Sequence, residues 1–112
     1  MRLAIPCQDS QICEHFGHAP QFIFFEADPA TGQITGEETI DAPPHQPGLL
    51  PRWLAEQGAN VILAVGMGGR ALELFAQHGV QAVTGVVTRD PREAAQQYLA
   101  GSLASGKNVC DH

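Results

Sequence analysis

The sequence predicts a single α/β domain. Its sheet is mixed and five-stranded, in order 3-2-1-4-5 with the second strand antiparallel, and three helices cover it. Three observations carry this. Val61 to Val65 is an unbroken apolar run ending in a glycine-rich turn, the pattern of a parallel strand covered on both faces. Residues 21–40 read as a hairpin bent at Asp28-Pro29-Ala30-Thr31-Gly32, where proline fixes φ and glycine supplies positive φ. Three helical stretches then alternate with strands, which requires right-handed crossovers.

Each element follows from local chemistry. Residues 2–6 are apolar and stopped by Pro6, hence the first strand. Residues 7–20 form a long polar loop, of the kind that is usually functional in a small domain. Gln21 to Ala27 is aromatic and branched, the second strand, and residues 33–40 return as the third. Asp41 to Gly48 carries three prolines and His45 and reads as a loop. Leu50, Trp53, Leu54 and Gln57 lie at helical spacing within 49–57, with Pro51 tolerable only in the first turn and Gly58 as the stop. The fourth strand is Val61 to Val65. A second helix covers 70–78, and Val80 to Thr84 is the fifth strand. Asp90-Pro91-Arg92-Glu93 starts the third helix with an N-cap, a proline at N1 and an acid at N3. It runs to about Ala100, where Gly101 ends it.

This order is similar to that of a ribonuclease H core, but Leu3-Ala4-Ile5 carries no carboxylate, so two-metal nuclease chemistry lacks its ligands. The order also brings four connections to one edge, the carboxyl end of the parallel strands, where open α/β sheets bind ligands. They are the loop after the first strand, the loop around His45, Gly66 to Gly69, and residues 85–90.

Length and charge narrow the function. The chain's 112 residues make one domain, expected to span 1–101, with 102–112 as a flexible tail. Six basic against twelve acidic residues give a net charge of −6, which disfavours non-specific binding to nucleic acid or anionic membrane. The longest apolar run falls far short of the roughly 20 residues that span a bilayer. Pro6 interrupts the N-terminal apolar stretch before it could form a signal sequence, so the expected compartment is the cytoplasm. Three cysteines, Cys7, Cys13 and Cys110, exclude a complete disulfide framework and leave thiols for metal or redox chemistry.

Two constellations and a set of arginines fall on the ligand edge. Cys13, His15 and His18 place one thiol and two imidazoles within six residues, and His45 enters from the next loop. Such ligands suit copper, zinc and iron–sulfur species. The spacing fits no standard zinc or ferredoxin pattern, and the same histidines suit a loop held by local hydrogen bonds. Gly66-Met67-Gly68-Gly69-Arg70-Ala71 joins a buried strand to a helix whose free N–H groups can face an anion. It satisfies G-x-G-x-x-A, but no acid ends the next strand to hold a ribose, so nucleotide binding is rejected. Glycines needed only for a tight turn remain an open reading. Arg52, Arg70 and Arg92 fall in first turns of helices and Arg89 just precedes one. Cations there oppose the helix dipole unless an anion sits among them or solvent screens them. The ending Cys110-Asp111-His112 repeats the Cys-x-His spacing of 13–15, but the tail must cross the whole domain to reach the same edge. No serine triad, nucleophile elbow or Walker loop is present.

Leu3-Ala4-Ile5-Pro6, Glu14-His15-Phe16-Gly17-His18-Ala19-Pro20-Gln21-Phe22, Gly66-Met67-Gly68-Gly69-Arg70-Ala71-Leu72 and Glu93-Ala94 with Tyr98-Leu99-Ala100-Gly101 together resemble the dinitrogenase iron–molybdenum cofactor biosynthesis family. That family includes NifX, NifY and the C-terminal domain of NifB, and its small stand-alone members include the orange protein of sulfate-reducing bacteria. The resemblance implies a ribonuclease H-like fold and non-catalytic, non-covalent binding of a metal–sulfur cluster, either molybdenum–iron–sulfur or molybdenum–copper–sulfide. It implies a carrier acting in cluster assembly, storage or delivery, with cluster donor or acceptor proteins as partners and a monomer or weak homodimer as the working unit. The binding residues expected on this basis are Cys13, His15, Phe16, Gly17, His18, His45, Gly66, Met67, Gly68, Gly69, Arg70 and Arg89. Cys13, His15 and His18 are the expected metal ligands. A cofactor-free domain that docks to a protein partner is the alternative.

Overall fold

The computed structural model describes residues 1–44, 46 and 48–103. One mixed sheet carries three helices. The elements are β1 (Arg2–Gln8), β2 (Gln11–Ile12), a 3-10 turn (Phe16–His18), β3 (Gln21–Asp28), β4 (Gln33–Asp41), α1 (Leu49–Glu56), β5 (Val61–Leu63), α2 (Gly69–Gln77), β6 (Gln81–Val83) and α3 (Pro91–Leu99). Five strands lie along the path β4-β3-β1-β5-β6, and β2 pairs with β1 off that path. β3 is antiparallel to both β1 and β4, whereas β5 is parallel to β1 and β6.

The sheet therefore has six strands and not the expected five. The reason lies at Asp9 and Ser10, which adopt positive φ of 53° and 66° and fold the chain back. Cys7 then faces Ile12 and Gln8 faces Gln11. No glycine marks this turn, and aspartate is among the few residues that tolerate the left-handed region. The expected long loop at 7–20 is accordingly a bonded segment for most of its length.

Alternation along the strands separates two cores. Ala4, Phe22, Phe24, Ile62 and Ala64 face one way, under α1 and α2, with Leu50, Leu54 and Phe75 packed on them. Leu3, Ile5, Phe25, Val61, Leu63 and Val65 face the other way, under Ala94 and Ala95 of α3. Trp53 of α1 lies against the rings of Phe22 and Phe24 at centroid distances of 5.7 and 6.1 Å. β5 ends at Leu63, earlier than the apolar run suggests, but Ala64 and Val65 stay bonded through Ala64 N to Val83 O and Gly85 N to Val65 O. Leu103, expected in a loose tail, packs on the α3-side core, and the amide of Ser102 donates to the carbonyl of Gln97 at 2.8 Å. Residues 104–112 lie outside the described residues. Among the described residues no helix is long and apolar enough to cross a membrane.

Candidate functional site

The histidine segment is fastened to the carboxyl edge at several points. The amide of Cys13 donates to the carbonyl of Pro6 at 2.9 Å, and that of Ile12 to the carbonyl of Arg89 at 2.9 Å. His15 forms a parallel bridge with Gly66, and the Phe16 amide donates to the Gly66 carbonyl at 3.0 Å. A single 3-10 turn follows, closed by His18 N to His15 O at 3.1 Å. Its first residue, Phe16, pins it: the ring is 4% exposed and meets Phe22 and Phe75 edge-on at 5.8 and 5.4 Å. His15 and His18 flank this anchor on the surface with ring centroids 5.7 Å apart.

Beside the turn lies a cleft of about 270 Å³. Phe16 and Gly17 line it from the turn, Gly68, Arg70, Ala71 and Leu74 from α2 and its approach, and Leu50 and Pro51 from α1. A second hollow of about 380 Å³ adjoins it, sharing Gly17 and Leu50 and adding His18, Ala19, Ala42 and Pro43. The α2 N-cap is Gly68, so no side chain caps that helix, and α1 likewise begins at Gly48 without a side-chain cap. At α1 the Leu49 amide donates to the Gln46 carbonyl at 3.1 Å and Pro51 has no N–H, so among the described residues it is the start of α2 that offers unsatisfied amides at the cleft. α3, on the opposite face, is satisfied: Asp90 accepts from the amides of Arg92 and Glu93 at 3.0 and 3.4 Å.

The charged groups divide the same way. Among the described residues Arg2 pairs with Glu26 and Glu38, Arg52 with Glu56, and Arg92 with Glu37, while Arg70 is exposed and makes no ion pair. The expected cluster of arginines at one edge is therefore corrected. Arg92 belongs to the α3 face, and Arg52 is held along its own helix. Arg89 lines neither hollow: its carbonyl holds Ile12, which packs on the α3-side core.

The thiols do not complete a metal site. Cys13 is half-buried against the core under α1 and α2, and its thiol donates to Gln8 Oε1 at 3.9 Å. Burial pushes the Cys13 thiol above its ordinary value, and the nearby Asp9 carboxylate adds to this. Cys7 is buried, and burial chiefly, then Cys13, raises its thiol too, against a lowering backbone hydrogen bond from Ile23. Both stay protonated at neutral pH, the form that ligates poorly. Among the described residues no three His, Cys, Asp or Glu side chains converge to hold a metal ion. The expected trio Cys13, His15 and His18 is not assembled. His45, Cys110 and His112 lie outside the described residues.

Gly66 and Met67 serve as framework. Both are buried; Met67 is 1% exposed within the core, and the Gly66 carbonyl accepts from Phe16. Phe16, Gly17, Gly68 and Arg70 are the expected residues that the fold brings together in one cleft. Sequence reasoning missed the apolar wall of Leu50, Pro51 and Leu74. Their helical spacing reads as core, and only the meeting of α1 and α2 leaves their edges on a cleft.

A family profile described as dinitrogenase iron-molybdenum cofactor matches residues 1–101. The crystal structure of PH0822 superimposes with a TM-score of 0.86 at 30% identity, covering 94% of each chain. The mj0327 protein of Methanocaldococcus jannaschii has a TM-score of 0.77 at 14% identity over 96% of each chain. The apo form of the orange protein from Desulfovibrio gigas has a TM-score of 0.72 at 23% identity, covering 96% of this chain and 93% of that one. No curated protein sequence is significantly similar. With nearly its whole length matched by one profile and the same fold in these relatives, the chain belongs to the dinitrogenase iron-molybdenum cofactor family.

Proposed function

We propose that this chain is a non-catalytic carrier of an anionic metal–sulfide cluster, of the iron–molybdenum cofactor precursor or molybdenum–copper–sulfide type. The cargo docks without covalent attachment at the cleft between the 3-10 turn and the start of α2. The binding unit is residues 1–101, read as a ribonuclease H-like fold. The observation that supports this reading is the convergence of Gly17, Gly68 and the unpaired Arg70 on one cleft in a member of this family. Backbone N–H groups at an uncapped helix start, together with a guanidinium, attract negative charge. His15 and His18 stand beside them as two imidazoles that can donate hydrogen bonds or ligate one exposed metal of a cluster. The protonated thiols of Cys7 and Cys13, and the lack of a three-residue ligand group among the described residues, favour cargo held by charge and hydrogen bonds.

A positive cleft is compatible with a net charge of −6 because no acidic residue among the described residues lines either hollow. The negative balance disfavours nucleic acid as a partner. Cluster donor and acceptor proteins in the cytoplasm are the partners of this reading, which assigns the chain no catalytic step. The apolar wall of the cleft favours one second reading, a cofactor-free domain that docks an apolar side chain of a protein partner.

Anaerobic addition of tetrathiomolybdate, alone and with copper(I), tests the carrier reading. The expected result is charge-transfer absorption that co-elutes with the protein and weakens in the His15→Ala, His18→Ala double variant, with far-UV circular dichroism unchanged. A chain that stays colourless while folded overturns it in favour of the docking domain.

A further inference from the structure

Glycine is retained in folded proteins for two structural reasons: a positive φ, or a neighbour too close for a Cβ. Most glycines described here have one of them. Gly32, Gly48, Gly58, Gly79, Gly85 and Gly101 all have positive φ. Gly17, Gly68 and Gly69 have neither, and they differ from Gly36 of β4, also without positive φ, whose Cβ would stand in ordinary contact 3.6 Å from Glu26 Cβ. None of the three has a positive φ, and a Cβ built on any of the three would meet no heavy atom within 4 Å. Gly68 sits at φ −69° and ψ 157°, extended backbone open to any residue. Gly17 occupies a 3-10 turn and Gly69 opens α2, where alanine is the better former. Gly17 and Gly69 cost stability, Gly68 is an acceptable N-cap that Ser, Asp or Asn would better, and none of the three relieves strain or crowding within the chain.

Two of them, on segments distant in sequence, line the same cleft, and the third follows directly on Gly68. We propose that Gly17, Gly68 and Gly69 are specificity-determining residues, kept bare so that a compact anion can settle against the main chain from both the turn and the α2 side. This deepens the carrier reading and rests on it. The open space above these three backbones is the space the cargo fills. Opposite them, Phe16, Leu50, Pro51 and Leu74 offer an apolar wall. An oxoanion set there would lose hydration on that side without hydrogen bonds in return, whereas a sulfide surface is weakly hydrated and polarizable. The cradle thus selects thioanions over oxoanions of the same charge, and extra methyl groups at the three glycines close it.

The test uses the full chain with Gly17→Ala, Gly68→Ala and Gly69→Ala singly and combined, and Gly79→Ala as the control outside the cleft. Thermal melts are run beside anaerobic titration with tetrathiomolybdate and with molybdate. Gly17→Ala and Gly69→Ala are expected to melt at or above the wild-type temperature and Gly68→Ala, at an N-cap, slightly below it, while the tetrathiomolybdate dissociation constant rises by about tenfold or more in the triple variant. Gly79→Ala, at φ 72°, is expected to melt lower and bind as wild type. Wild-type chain is expected to prefer tetrathiomolybdate to molybdate. Unchanged affinity in the triple variant, or a large fall in its melting temperature, overturns the cradle alone. Equal wild-type affinity for the two anions overturns the selectivity. A wild-type chain that binds neither anion overturns the cradle and the carrier reading together.

Discussion

The Phe16 amide donates to the Gly66 carbonyl at 3.0 Å, so the histidine turn and the glycine loop hang from one backbone bond. On the turn side the chain proceeds at once to a ring buried between Phe22 and Phe75. On the loop side it passes through buried Met67 to the start of α2. Both walls of the cleft are therefore referenced to the same core, and their separation is fixed by packing.

Phe16→Ala is expected to lower the unfolding free energy by about 3–5 kcal/mol, the usual cost of emptying a buried aromatic site. Urea denaturation measures it. A loss below about 1 kcal/mol would mean that the turn is not anchored through this ring.

Arg70→Glu is expected to weaken tetrathiomolybdate binding by about tenfold at low ionic strength, with a smaller effect as salt is added. Arg92→Glu, which changes the net charge by the same amount and removes the exposed pair with Glu37 on the opposite face, is the matched control and should bind as wild type. Arg2 would be a poor control, because it stacks 4.3 Å from the Phe24 ring centre and holds two carboxylates. Equal losses at Arg70 and Arg92 would show that only the overall charge is sensed.

Asp90→Ala is expected to cost about 1 kcal/mol of stability, the value of an N-cap whose carboxylate holds two amides. It should leave cargo binding untouched, since α3 covers the other face. A fall in binding without loss of stability would couple the two layers.

Alkaline stability follows from the buried thiols. Cys7 ionises near its ordinary value of 9.0 when unfolded and only at higher pH when folded. A raised folded value means its contribution is fully present below pH 9 and is lost as pH rises through the folded value. The unfolding free energy should thus fall above pH 9, and Cys7→Ala should flatten that fall. An identical slope in the variant would assign the alkaline loss to other groups. In the native protein at neutral pH, alkylation followed by peptide mass spectrometry should label half-buried Cys13 before Cys7.

Local chemistry was legible where it acts locally. The Asp90 cap, the Val61 run and the Gly32 turn all stand within a residue or two of where their residue types put them. β2 was not legible, because its pairing depends on two non-glycine residues taking positive φ at Asp9 and Ser10. The site was legible as an edge but not as a face. Residues 16–17 and 66–70 do gather at the carboxyl edge, yet Arg89 and Arg92 reach it on the layer held by α3. A linear argument finds the end of a sheet and cannot tell its two sides apart. Phe16, expected as a binding residue from the family resemblance, both anchors the turn in the core and lines the cleft; a single 3-10 turn is too short for any periodicity to show which of its residues turns inward.

The cleft takes Gly17 from the first fifth of the chain and Gly68 from beyond its middle, joined only after β5 has docked in parallel beside β1. Parallel pairing of distant strands is a late event in folding because the intervening loop must first close. A chain emerging from synthesis consequently presents its histidines long before it has a cleft. On the carrier reading it cannot hold cargo as a partial product, and loading is deferred until the sheet is complete. Loss of cargo affinity should for the same reason be the earliest sign of a chain whose β1–β5 pairing has opened.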